Sequence, residues 1–138
     1  MRVYLFSEHA TMPTKANPTD AGYDLYASQV QVIPTGKRAL VSTGLNVEID
    51  SGYYGRVAPR SGLACKGIDV GAGVVDSGYR GELKVLLINN SENDYTVNVK
   101  DRVAQLIMER IYTDELVQST SPLIVSDRGT AGFGSTGV

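Results

Sequence analysis

The chain has 138 residues, enough for one domain, and its 42% hydrophobic content predicts a folded core. Thirteen basic and fifteen acidic residues give a net charge of −2, which excludes a basic surface for bulk nucleic-acid binding. A single cysteine and a single histidine exclude an intrachain disulfide and a zinc cage, and they remove most cysteine- or serine-histidine catalytic schemes. No apolar run is long enough to span a membrane and no signal pattern opens the chain. We therefore expect an intracellular protein, cytoplasmic or nuclear, with neither a nucleic-acid nor a membrane partner.

Short apolar or β-branched runs separated by turn residues predict many strands. In chain order the predicted strands cover residues 2–6, 21–27, 30–33, 38–43, 45–49, 53–58, 95–99 and 102–112, with loops such as the proline-containing stretch 11–19 between them. Residues 63–66 are the one place where the pattern favours a short helix. Fifteen glycines mark the turns. This pattern is typical of an all-β barrel or jelly roll.

Residues 71–75 and 82–88 are apolar runs on either side of a turn that carries Asp76, Tyr79 and Arg80. Two such runs separated by Asp, Ser and Gly predict a β-hairpin. Backbone N–H and C=O groups near a hairpin tip can pair with the edge of a planar ligand. Asp76 would supply a base and Tyr79 a flat apolar face. The alternative interpretation is a surface hairpin with ordinary turn residues.

Residues 128–138 contain four glycines and no strand pattern. We expect two regions: a β-barrel domain at 1–127 and a glycine-rich C-terminal arm at 128–138 that closes over an active site. A G-x-G-x-x-G spacing begins at Gly132, but no helix pattern follows it, so the arm does not form a dinucleotide-binding turn. The alternative for the arm is a disordered tail.

Four further pieces accompany the turn: AGYDL at 21–25, PRSGLA at 59–64, DRVAQLI at 101–107, and the arm. With GVVDSGYRG at 73–81 they resemble the five ordered motifs of the trimeric dUTP pyrophosphatase (dUTPase) family, from Gly22 to Gly137. Ala131 departs from the pattern, because the family usually has glycine there. The resemblance implies a distorted jelly-roll barrel and a homotrimer whose active sites are shared between subunits.

The resemblance also implies the chemistry. Members hydrolyse dUTP to dUMP and pyrophosphate, which keeps uracil out of DNA and supplies dUMP for dTMP synthesis. Asp76 matches the general base that activates water for attack on the α-phosphorus. Asp24 matches the carboxylate that holds the cofactor Mg²⁺ through water, since Mg²⁺ keeps much of its hydration shell.

The remaining site residues follow from the same motifs. Gly73 and Val75 would read the uracil edge, Tyr79 would pack under the sugar, and Phe133 would cover the base. The residues that match phosphate contacts are Arg60, Ser61, Gly62, Gln105, Arg128, Gly134, Ser135 and Thr136. Arg60 could instead form a structural ion pair, and Gln105 could be a polar side chain on a half-buried strand. Arg80, Lys84 and Arg102 are interpreted as solvated or structural.

Two other functions remain open from the sequence. A dCTP deaminase would share the fold and the triphosphate site, although Asp76 and Tyr79 fit the hydrolase pattern. A non-catalytic, nucleotide-binding or regulatory β-trimer would not need Asp24, Asp76 and the arm, all of which are present.

Overall fold

Across residues 1–133 and residue 135, the part of the chain that the computed structural model describes, eleven β-strands and one short helix form. In chain order they are β1 (Arg2–Leu5), β2 (Gly22–Tyr26), β3 (Gln31–Ile33), β4 (Arg38–Ser42), β5 (Leu45–Glu48), β6 (Tyr53–Ala58), α1 (Ser61–Ala64), β7 (Ile68–Gly71), β8 (Val74–Val75), β9 (Lys84–Asn89), β10 (Tyr95–Val97) and β11 (Arg102–Arg110). The prediction of an all-β fold with at most one short helix is confirmed. Within these described residues, no helix has the length and apolar character that crossing a membrane requires.

Four antiparallel sheets surround one core. The largest has the strand order β2-β11-β6-β8, and a three-stranded sheet has the order β4-β9-β7. Two strand pairs, β1 with β5 and β10 with β3, complete this distorted jelly-roll barrel. Because β11 pairs with β2 on one side and β6 on the other, it holds Asp24 of β2 close to the segment that follows β6.

Alternating side chains of the strands build the core. Along β9, Val85, Leu87 and Asn89 are buried, whereas the residues between them are less so, because successive side chains of a strand point to opposite faces. The largest fully buried apolar side chains come from all four sheets and from the residue before β9: Leu25, Ile33, Leu45, Ile68, Leu83, Leu87 and Leu106. Full burial of such a side chain contributes roughly 1.5–3 kcal/mol relative to exposure.

The predicted hairpin around Asp76 is only partly correct. Gly71 does pair with Leu86, in the ladder between β7 and β9. Val74 and Val75, however, leave that ladder and pair with β6 instead. The chain therefore makes an excursion from one sheet to the other and back, and the turn that carries Asp76 lies on this excursion rather than at the tip of a simple hairpin.

The short helix lies earlier than predicted, at Ser61–Ala64 instead of 63–66. The carbonyl of Arg60 accepts hydrogen bonds from the N–H groups of Leu63 and Ala64, at 3.0 and 2.9 Å, so the first turn starts directly after Arg60. No side chain of the helix is buried. Cys65 at its end is exposed as well.

After β11 the chain is extended and exposed. No helix or strand forms between residue 111 and Phe133, and the side chains at 116, 117 and 123–125 are between 82% and 100% exposed although they are Leu, Val or Ile. The boundary predicted between a barrel at 1–127 and an arm at 128–138 remains a prediction.

Asn89 is the largest polar side chain in the core, and its amide is fully used. Nδ2 donates to the carbonyls of Ile33 at 2.9 Å and Asn93 at 2.8 Å. Oδ1 accepts from the N–H of Ser91 at 2.9 Å and from its hydroxyl at 2.6 Å. One side chain thus joins β9, β3 and the turn before β10.

We predict that Asn89→Ala lowers the free energy of unfolding by about 2–4 kcal/mol, because buried donors and acceptors lose their partners. Asn89→Asp should also destabilise at neutral pH, since a carboxylate cannot donate to the two carbonyls. Guanidinium chloride unfolding measures both changes. Asn90→Ala, which alters an exposed neighbour, is the control. A loss below about 0.5 kcal/mol for Asn89→Ala would contradict the assigned role.

Candidate active site

The predicted substrate residues that precede the arm lie in two clefts of the chain. The first cleft, of about 300 Å³, is formed by β8, the turn after it and neighbouring strands: Leu40, Val57, Gly71, Ala72, Gly73, Val74, Val75, Asp76, Tyr79, Glu82, Leu83, Lys84 and Leu86. The second, of about 390 Å³, lies beside the start of α1: Ala16, Asp20, Ala21, Gly22, Asp24, Arg60, Ser61, Gly62, Arg102 and Gln105. The two clefts share no lining residue. The structure brings Gly73, Val75 and Tyr79, three of the four predicted base and sugar residues, together with Asp76 in one cleft, and the predicted metal residue with four phosphate residues in the other.

Gly73 sets the shape of the first cleft. Its φ angle is 96°, in the left-handed region that favours glycine, and its carbonyl accepts the N–H of Val57 at 2.8 Å. A Cβ on Gly73 would lie 2.6 Å from the carbonyl oxygen of Val57. This close approach directs Val74 and Val75 onto β6 and leaves a narrow apolar slot beside them.

Asp76 follows β8 directly and is exposed at the wall of the first cleft. Its backbone carbonyl accepts the N–H of Tyr79 at 3.0 Å, which closes the turn. Among residues 1–133 and 135, no side chain forms a hydrogen bond or ion pair with the Asp76 carboxylate. The carboxylate is therefore accessible to water and substrate from the cleft.

The turn holds Tyr79 at the edge of the same cleft. Its hydroxyl donates to the carbonyl of Glu82 at 3.0 Å, and the side chain is 46% exposed. The Arg80 guanidinium donates to the carbonyls of Ser77 at 2.7 Å and Tyr79 at 2.9 Å. Lys84 forms an ion pair with Glu82 at 3.4 Å. Both cations have protein partners, in agreement with the structural interpretation of Arg80 and Lys84.

Asp24 is central to the second cleft. One carboxylate oxygen accepts from Nε of Arg60 at 2.9 Å and the other from a terminal nitrogen of Arg102 at 3.4 Å. The Asp24 side chain is 17% exposed. The ion-pair alternative for Arg60 is thus realised in this structure, and Arg102 has the structural role that the sequence suggested.

Gln105 lies on β11 opposite Asp24 of β2. Its Nε2 donates to the carbonyl of Pro59 at 2.9 Å. A Cβ on Gly22 would lie 2.5 Å from Oε1 of Gln105, so the glycine makes room for the amide. Ser61 and Gly62, the first residues of α1, are exposed at the mouth of the cleft.

The side chains of the second cleft suit a cation held through its bound water better than a cation bound directly by several side chains. The described residues contain no group of three or more Asp, Glu, His or Cys side chains placed to hold a metal. A carboxylate offers about four lone-pair sites, and the two arginines occupy only two of those on Asp24. The others can accept from metal-bound water, which is how Mg²⁺ is usually held at phosphate sites.

The described residues of the arm, 128–133 and 135, line neither cleft of their own chain. Arg128 donates from Nε to the carbonyl of Ala131 at 3.0 Å, and Phe133 is fully exposed with φ at 50°. Ser135 is exposed too. The predicted phosphate residues Gly134 and Thr136 lie outside the described residues.

Two tyrosines near the sheets have shifted pKa values. Burial raises the pKa of Tyr95, as does the charge of Asp101, while Arg60 acts in the opposite direction. The hydrogen bond from Tyr54 to Glu109, at 2.6 Å, raises the pKa of Tyr54 and lowers that of Glu109. Both phenols therefore stay protonated at neutral pH.

Sequence reasoning missed Asp20 in the second cleft, and Leu40 and Leu86 in the first. Asp20 directly precedes the AGYDL motif, and this position next to a site motif could have predicted its place in the cleft. Leu40 and Leu86 face each other across β4 and β9. No local pattern marks these two leucines, because only the pairing of distant strands brings them to the cleft.

Comparison with known proteins gives a consistent result. The dUTPase family matches residues 8–137. A deoxyuridine 5'-triphosphate nucleotidohydrolase from Debaryomyces hansenii is 51% identical, with 99% of this chain and 87% of the relative covered. The protein of the same name from Variola virus is 49% identical, with 96% of this chain and 89% of the relative covered.

Solved structures agree in fold. The Staphylococcus bacteriophage 80alpha dUTPase with dUpNHpp has a TM-score of 0.94 and 32% identity, covering 99% of this chain and 98% of that one. A mutant dUTPase of phage phi11, solved with details of the coordination of a structural Mg(II) ion, has a TM-score of 0.82 and 30% identity, covering 87% of this chain and 96% of that one. With the family match extending over nearly the whole sequence, the chain belongs to the dUTPase family.

Proposed function

We propose that this chain hydrolyses dUTP to dUMP and pyrophosphate with Asp76 as the general base, at sites that three identical subunits share. Hydrolysis of dUTP is the activity of the family to which the chain belongs. The observation that carries the detailed proposal is the first cleft, where Gly73, Asp76 and Tyr79 border one slot of about 300 Å³. A planar base, a sugar and a carboxylate base can meet there.

Asp76 would accept a proton from the water that attacks the α-phosphorus. The carboxylate has access to water, and the turn that carries it is closed by the Tyr79 N–H. A positioned base of this kind typically contributes about 10²–10⁴-fold to the rate. The proton leaves the water as the bond to phosphorus forms, and pyrophosphate departs from the opposite side.

The second cleft would hold the triphosphate. Arg60, Gln105 and the exposed start of α1 at Ser61 and Gly62 supply a cation, an amide and hydrogen-bond donors. Asp24 would hold Mg²⁺ through water. When bound, Mg²⁺ supplies positive charge that offsets the negative charge of the phosphate oxygens. The ion pairs of Asp24 with Arg60 and Arg102 keep its carboxylate oriented for this task.

Selectivity would come from the slot and from Tyr79. Backbone groups around Gly73 and Val75 would pair with the uracil edge, and cytosine would leave buried polar groups unpaired, because its donor–acceptor edge is reversed. The slot would leave no room for the 5-methyl group of thymine. The Tyr79 ring would pack under deoxyribose and clash with a ribose 2'-hydroxyl.

The arm would close the site. Phe133 is exposed, and stacking on a base is worth roughly 1–3 kcal/mol, enough to order a glycine-rich segment when the nucleotide is present. Arg128, Gly134, Ser135 and Thr136 would then contact the γ-phosphate.

Two features support a homotrimer with shared sites. The first and second clefts of one chain have no residue in common, so a complete site can combine clefts of different subunits. Residues 111–125 expose several large apolar side chains, which burial against another subunit would cover. In a cell, the activity would keep uracil out of DNA and supply dUMP for dTMP synthesis.

We predict that Asp76→Asn lowers kcat for dUTP by about 10²–10⁴-fold while the affinity for dUpNHpp changes only slightly, because the amide keeps the shape but cannot accept a proton. Pyrophosphate release and calorimetric binding measure the two quantities. Asp69→Asn, which removes an exposed carboxylate of β7 outside both clefts, should behave as wild type. Unchanged turnover of Asp76→Asn would sink the assigned mechanism.

The arm's role predicts that a chain shortened to end at Asp127 loses most dUTP turnover, because the base and γ-phosphate contacts are gone. The assay is pyrophosphate release with Mg²⁺ from dUTP, dTTP, dCTP and UTP, on both chains. The full-length chain should turn over dUTP alone. Ammonia from dCTP would indicate a deaminase, and no product from any nucleotide would indicate a binding protein.

Shared sites predict that two inactive variants restore each other. Subunits with Asp76→Asn and subunits with Asp24→Asn, unfolded together and refolded as a mixture, should regain dUTPase activity, because some sites then combine an intact Asp24 with an intact Asp76. Each variant refolded alone is the control. If both carboxylates acted from one chain, every site in the mixture would stay damaged and no activity would return.

A further inference from the structure

The Tyr79 ring folds back over Gly81, two positions along the turn. A Cβ on Gly81 would lie 2.4 Å from the Tyr79 hydroxyl oxygen and 2.6 Å from the ring carbon that bears it. Real Cβ atoms do not approach other atoms so closely. The backbone of Gly81 lies outside the left-handed region, so the position does not need glycine for its dihedral angles. A side chain at 81 would instead compete with the phenol for the same space.

The backbone on both sides of the ring is held in place. The Arg80 guanidinium fixes the carbonyls of Ser77 and Tyr79, and the Arg80 carbonyl accepts from Asn46 Nδ2 at 3.1 Å. Beyond the ring, the Glu82 carboxylate accepts the Gly44 N–H at 3.1 Å. A methyl group at position 81 would therefore displace the phenol, which is a half-exposed side chain, rather than the turn.

We propose that Gly81 is a positioning residue that sets the place of the Tyr79 ring and thereby the discrimination between deoxyribose and ribose nucleotides. The inference rests on the proposed function, in which Tyr79 lies under the sugar. The ring is located by two constraints: the empty space at Gly81, and the hydrogen bond from its hydroxyl to the Glu82 carbonyl at 3.0 Å. Neither Gly81 nor its backbone needs to touch the nucleotide for this role.

The physical reason lies in the short range of steric exclusion. A ring in van der Waals contact with the C2' hydrogens of deoxyribose leaves no room for a hydroxyl. A shift of the ring by about 1 Å would open that room and break the hydrogen bond to the Glu82 carbonyl. Misplacement of a group by about 1 Å can change a rate by about 10²-fold. The ratio of kcat/KM for dUTP to kcat/KM for UTP should therefore fall more than kcat/KM for dUTP itself.

The test compares Gly81→Ala with Gly78→Ala. Gly78 belongs to the same turn, also lies outside the left-handed region, and a Cβ there would meet no atom within 4 Å. The measurement is kcat/KM for dUTP and for UTP. We expect Gly81→Ala to lower the dUTP/UTP ratio by about 10-fold to 100-fold, with Gly78→Ala keeping the wild-type ratio. Both variants should unfold at nearly the wild-type denaturant concentration, because only an exposed ring moves.

Tyr79→Ala and the double variant Tyr79→Ala/Gly81→Ala complete a cycle that separates the explanations. If Gly81 acts through the ring, the second change adds nothing once the ring is absent. A further loss in the double variant would overturn the inference. So would an unchanged ratio in Gly81→Ala when Tyr79→Ala lowers it, and the proposed function would then stand. An unchanged ratio in Tyr79→Ala would instead remove the sugar role of Tyr79 from the proposed function, and the inference with it.

Discussion

The contact between the backbones of Gly73 and Val57 is the constraint on which the rest of the site depends. At this point the chain leaves the sheet of β7 and β9 and joins the edge of β6. The N–H of Val57 donates to the Gly73 carbonyl at 2.8 Å, and there is no space for a Cβ on Gly73. Without that close approach, Val75 would not reach the core beside β6, and the turn that follows Val75 would not begin at a fixed position. The positions of Asp76 and Tyr79 follow from it.

A second constraint ties three strands together at the other cleft. Asp24 on β2 pairs with Arg60, which follows β6, and with Arg102 at the start of β11. The Arg60 pair is partly buried, so water screens it less than it screens a surface pair. The two pairs hold the carboxylate in one orientation while leaving acceptor sites free. A site for a hydrated cation and an anionic substrate needs this combination of fixed charge and open coordination.

The two clefts of one chain are separate, and this separation bears on how a complete site would form. The barrel presents an apolar slot with a carboxylate and, with no lining residue in common, a polar cleft with two arginines. The chain after β11 is exposed, and none of its described residues lines either cleft. In the proposed homotrimer, the clefts of one chain would complement those of another, and assembly rather than folding alone would complete the site.

The sequence predicted the all-β class, most strands and the grouping of functional residues into motifs, because period-2 alternation, turn glycines and motif order are local features. It misplaced the short helix by two residues, since helix ends depend on where the preceding strand stops. It also treated residues 71–88 as a simple hairpin. Local composition allows β8 to pair with β9 or with β6, and the choice is made by the close approach of Gly73 to Val57.

Within the site, the sequence by itself determined which chemical groups are available: the carboxylates Asp24 and Asp76, the Tyr79 ring and the glycines around it. Only the tertiary structure decided how they are arranged. Leu40 and Leu86 reach the first cleft through the β4–β9 ladder, and Arg60 finds Asp24 because β11 joins β2 to β6. The physical reason is that strand pairing links residues far apart in sequence, and no local pattern records which edges will meet.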